Sequence, residues 1–142
     1  MFQSAPPFDW NHVHPILVHF TTALLPVSLV SDVLGRLTDR YSLTPAAWWM
    51  LLYGVVATPL TAFAGWMWSS DLGNTASAFG ATLTTHKWLG SFLALTFLGL
   101  GIWRGRIFFR SEKPGTTYLL CGWLALGALM YQGFLGGKMA FG

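Results

Sequence analysis

Four runs of mostly apolar residues, each close to twenty long, limit what this chain can fold into more than any motif does. A bilayer core of about 30 Å needs about twenty helical residues to cross it. The chain offers that length at about residues 14–35, 45–68, 83–104 and 117–135. Of its 142 residues 54% are hydrophobic and only 9% charged, too few to coat these runs with a polar surface in water. The expected fold is all-α, an integral membrane bundle of four transmembrane helices that makes residues 1–142 a single transmembrane domain in the lipid bilayer.

Local signals mark the ends of the runs. Pro15 suits the opening helical position of the first span, while Pro26 and Pro59 are expected to kink the first and second. Thr44 reads as the cap of the second span. Met1–Val13 reads as a polar tail, Ser69–Thr82 as an exposed loop, and Arg110–Gly115 as a tight turn. No Lys or Arg precedes the first span and no cleavage junction follows it, so that span is expected to be retained.

Positive charge sets the expected orientation, because cytoplasmic loops keep Lys and Arg during insertion. Arg36, Arg40, Arg104, Arg106, Arg110 and Lys113 lie on one side, and Lys87 and Lys138 on the other. Six against two places the first group in the cytoplasm and both termini outside, on the periplasmic side of a bacterial inner membrane. The net charge of +3 is confined to short clusters between apolar runs, a topological signal that gives no support to a nucleic-acid partner.

Chemistry concentrates on the outer side. His12, His14, His19 and His86 all fall there, with Asp9 and Asp71. A weak repeat links the odd-numbered spans: His19 precedes Arg36 by 17 residues and His86 precedes Arg104 by 18, a rise of roughly 26 Å in each case. His19 and His86 should therefore sit at one depth on two parallel helices. Small residues follow both, Thr22, Ala23 and Pro26 after His19, and Gly90, Ala94 and Gly101 after His86. That arrangement suits a b-type haem (haem b) between axial imidazoles. The same imidazoles could instead ligate zinc or copper, with His14, His19 and His86 as the metal set and Asp71 beside them. Against both stands the plain reading, in which His12 and His14 cap or hydrogen-bond backbone and the small residues serve helix packing.

The remaining polar residues have structural readings. Asp32 lies four residues before Arg36, as an i,i+4 ion pair requires. Trp66, Trp68, Trp88 and Tyr131 fall at the outer boundary and Trp48, Trp49 and Trp103 at the inner one, as aromatic belts do. Gly54, Ala57, Thr61 and Gly65 repeat as a packing face, and Met67, Met130 and Met139 read as gap fillers. The lone Cys121 excludes a disulfide framework, a thiolate zinc site and covalent haem attachment. No nucleophile with its base, phosphate loop or carboxylate pair is legible, so hydrolase and kinase chemistry have no support.

The stretch His14-Pro15-Ile16-Leu17-Val18-His19-Phe20, with Ala23-Leu24-Leu25 and Asp32 beyond it, resembles the opening of a bacterial four-span membrane family catalogued as domain of unknown function 2231. His14, His19, Asp32 and His86 match that family's His-Pro-x-x-Val-His-Phe start, its acidic residue late in span one and its His at the head of span three. Thr21 stands where the familiar version has Pro. The resemblance covers most of the chain and implies the four-span fold, with no established reaction.

The functional expectation is a small membrane subunit of a bacterial respiratory or photosynthetic redox complex. It would act in electron transport through one b-type haem between His19 and His86, with larger membrane subunits and a periplasmic cytochrome as partners. The alternatives are a cofactor-free scaffold or accessory subunit of such a complex, and a metal-binding protein of the periplasmic side. None of these makes the chain an enzyme on its own.

Overall fold

A computed structural model gives the fold and describes residues 10–72 and 76–141. It contains α1 (Trp10–Thr38), α2 (Leu43–Asp71), α3 (Ala76–Phe109) and α4 (Thr116–Phe141). Each carries a stretch long and apolar enough to cross a membrane. All four expected spans are present and all are longer than expected.

At the end of α2 the extra length comes from polar residues that find partners inside the helix. The Ser69 and Ser70 hydroxyls donate to the carbonyls of Trp66 and Met67 at 2.8 and 2.6 Å. Satisfied in this way, they continue α2 where their composition had suggested a loop. Within the expected Ser69–Thr82 loop, α2 continues to Asp71 and α3 begins at Ala76. Part of its character survives at Gly80, whose φ of 49° and ψ of −131° break the helical geometry of α3. A side chain rarely tolerates that φ, and glycine does. The N-terminal boundary shifts too, since α1 begins at Trp10 and places Pro15 inside the helix. Ser42, not Thr44, is the N-cap of α2, and its side chain makes no capping bond. Both α1 and α2 run on through Pro26 and Pro59.

Neighbouring helices pack in sequence order and α4 closes against α1, which leaves α1 and α3 as parallel helices on a diagonal of the bundle. The core is a thin apolar column containing Leu25, Leu29, Leu51, Val55, Leu93, Phe97, Leu126 and Leu129. Glycines set how close the helices come. A Cβ at Gly54 would lie 2.7 Å from Leu25 Cδ2, and one at Gly122 only 2.5 Å from Leu29 Cδ2. Both leucines of α1 therefore rest on neighbouring backbone. Large apolar side chains such as Phe20, Trp88, Phe92, Leu95, Leu124 and Phe134 point outward and are exposed, as lipid contact demands. Trp48 departs from the belt expectation: it is buried, against Gly105 and stacked on Phe108 with centroids 5.4 Å apart.

At one end of the bundle the diagonal is bridged by charge. Arg104 donates from Nε to Asp32 Oδ2 at 2.9 Å and from Nη2 to Asp32 Oδ1 at 2.8 Å. Its Nη2 also reaches the Thr44 carbonyl at 3.2 Å. Both side chains are fully buried. The expected Asp32–Arg36 pair does not form, because Arg36 donates to the Pro114 carbonyl at 2.7 Å. The i,i+4 reading assumed an interfacial Asp32 facing water, whereas its helix face points into the bundle, where only α3 offers a cation. Beyond the membrane-spanning segments, Lys113 bonds Asp39 and holds its carboxyl below the usual carboxylate range through that hydrogen bond and its charge.

Candidate functional site

The opposite end of the same diagonal carries two imidazoles. His14 on α1 and His86 on α3 approach with ring centroids 6.4 Å apart and planes at 79°. Eighteen residues separate His14 from Asp32 and eighteen separate His86 from Arg104. Parallel helices in register therefore carry both contacts at once, one pair about 27 Å from the other along the axes.

Each ring is seated by a glycine on the next helix. His14 lies against Gly65 of α2, where a Cβ would come within 2.9 Å of its Cε1. His86 lies against Gly136 of α4, where a Cβ would stand 3.3 Å from its Cε1. His14 Nδ1 is 2.9 Å from the Thr61 carbonyl oxygen, which can only accept, so Nδ1 carries the proton. In the neutral ring this leaves Nε2 as the nitrogen with a free lone pair, the arrangement that orients a ligating imidazole. Trp68 flanks the same ring at 5.7 Å between centroids. Gln132 of α4 donates from Nε2 to the His86 carbonyl at 2.8 Å, and a Cβ at Gly90 would collide with that amide at 2.8 Å. Two buried polar atoms here have no partner among the described residues, His86 Nδ1 and Gln132 Oε1.

Around the rings lies a cavity of about 760 Å³, within the range of cofactor-sized sites, reached by all four helices. Its wall is largely apolar and includes Phe79 and Phe141, broken by Thr21, Thr58, Thr61, Lys87 and Gln132. Residues 11–142 match the profile of a family described as a predicted membrane protein, DUF2231. The chain belongs to the DUF2231 family. No curated protein and no solved structure matches it.

The DUF2231 match takes in all four helices and every histidine named above. The structure brings His86 together with His14, while His19 stands exposed at the edge of the same cavity. Five residues beyond His14, His19 is turned about 140° round the helix from it, too far to share its face. Among the described residues no three His, Cys, Asp or Glu side chains group as a metal ion's ligands. Asp9 lies outside the described residues, and so does the side chain of Asp71. Met139 lines the cavity, and Met130 is exposed on the outer surface. The small-residue face after His86 is filled by protein, Gly90 by Gln132 and Gly101 by Val55.

Sequence reasoning missed the contacts of Gln132 and Gly136 with His86 and of Gly65 with His14. The available signal was the shared offset of 72 positions, which relates His14 to His86 and Asp32 to Arg104.

Proposed function

We propose that this DUF2231 protein is a small electron-transfer subunit of a bacterial inner-membrane complex that holds one b-type haem between His14 and His86. The observation that carries this is the meeting of two imidazoles from diagonal, parallel helices, 6.4 Å apart and nearly perpendicular. His14 and His86 would hold the iron from the two diagonal helices.

The surrounding groups fit such a ligand. Thr61 fixes the His14 tautomer, Gly65 and Gly136 leave room for the rings, and Gln132 holds the His86 backbone. The largely apolar wall would keep water from the site. When bound, a b-type haem supplies one-electron chemistry. The residues bind and orient it. Thr21 and Thr58 line the cavity and supply polar groups to it.

The charge count of six against two supports a periplasmic position for the histidine end, within reach of a periplasmic cytochrome and of larger membrane subunits. A cofactor-free accessory subunit is the competing reading. In that reading the two rings only pack on Gly65 and Gly136.

Reduced-minus-oxidised spectra of the purified protein test the proposal. A Soret band is expected, with about one haem per chain by pyridine extraction. His14→Ala and His86→Ala should each lose it, and His19→Ala should keep it. A haem-free wild-type protein from haem-replete cells would reject the reading, as would full haem content in His14→Ala.

A further inference from the structure

A second concave surface lies far from the imidazoles and does not depend on how they are used. Between α2 and α3, at the end that carries the arginines, runs an open groove of about 550 Å³. Its apolar wall includes Trp48, Val55, Val56, Leu98 and Ile102, over a floor of Gly101 and Gly105. Arg106 and Arg110 stand at its end. We infer that this groove binds one anionic phospholipid, its phosphate held between Arg106 and Arg110 and one acyl chain lying along the groove.

Length supports this occupant. The wall extends from Leu98 on α3 to Arg110 just past its end, a rise of about 18 Å. That is close to one leaflet of a hydrocarbon core about 30 Å thick. Charge supports it as well. Arg36, Arg104 and Lys113 at the same end are already bonded to Pro114, Asp32 and Asp39. Arg106 and Arg110, the second just past the end of α3 with its N–H donating to the Arg106 carbonyl at 3.3 Å, are exposed and form no ion pair among the described residues. Two free guanidiniums above an apolar track complement a phosphate joined to an acyl chain.

The test is native mass spectrometry of the full chain released from detergent. Phosphatidylglycerol and phosphatidylcholine with identical acyl chains are supplied in equal amounts. Near an anionic headgroup each arginine is worth about a factor of five, so the wild-type protein should favour phosphatidylglycerol adducts by about 25-fold. Arg106→Gln with Arg110→Gln should bring the two lipids to parity. Arg40→Gln, an exposed cation at the same end outside the groove, should leave the preference intact. Leu98→Trp should block the track and remove adducts of both lipids with the arginines in place. That result also tests the inference if the double variant fails to fold. Equal adducts on the wild type, a preference that survives the double variant, or loss of the adduct to excess inorganic phosphate would overturn the inference. So would a dimer that forms in place of the lipid adduct.

Discussion

Gly65 shows how much a single missing side chain decides. A methyl group there would sit 2.9 Å from the His14 ring, which the Thr61 carbonyl and Trp68 of the same helix also contact. Gly65→Ala should therefore push the imidazole out of line without unfolding the helix, since alanine favours helix over glycine by about 1 kcal/mol. Haem affinity should fall about 10- to 100-fold, as for other changes to groups that orient a ligand, while circular dichroism in detergent stays at the wild-type level. Retained affinity in Gly65→Ala would mean that the ring can move and that its seat is incidental. In the sequence this glycine is one small residue in a packing row with Gly54, Ala57 and Thr61. Nothing in that row shows which of its members faces an imidazole.

The helices α1 and α3 are tied twice, by the imidazoles at one end and by Asp32 and Arg104 at the other. The ion pair is the costlier tie, because both groups are taken entirely out of solvent. Removing one partner leaves an uncompensated buried charge, so Arg104→Leu should lower stability by about 3–5 kcal/mol. Replacing both, Asp32→Leu with Arg104→Leu, should recover most of that loss, because an apolar pair avoids the desolvation cost. Thermal unfolding of the four members of the cycle in one detergent measures the coupling. A double variant as unstable as the single one would show that Arg104 acts mainly through its bond to the Thr44 carbonyl.

At the scale of the whole molecule the fold is sorted by solvent. Its apolar side chains divide between a narrow core and a broad outer surface, and the outer surface belongs to lipid. The six cations gathered at one end predict the insertion. Reporter fusions after Arg110 should be active in the cytoplasm, and fusions after Gly142 outside it. The reverse pattern would put the histidine cavity on the cytoplasmic side and remove a periplasmic electron partner from consideration.

The span count, the helical class and the family resemblance were all legible in the sequence, because length and hydropathy are summed along the chain and tolerate errors of several residues. Span ends were less so: Ser69 and Ser70 look like loop residues until their hydroxyls are seen bonding back one turn. That His14 and not His19 lies beside His86, and that Arg104 and not Arg36 pairs with Asp32, belonged to the tertiary structure alone. A residue's place along the sequence states its depth in the bilayer, but the direction in which it points depends on how each helix is rotated about its axis. That rotation is fixed only when Gly54, Gly65 and Gly122 meet the side chains of neighbouring helices.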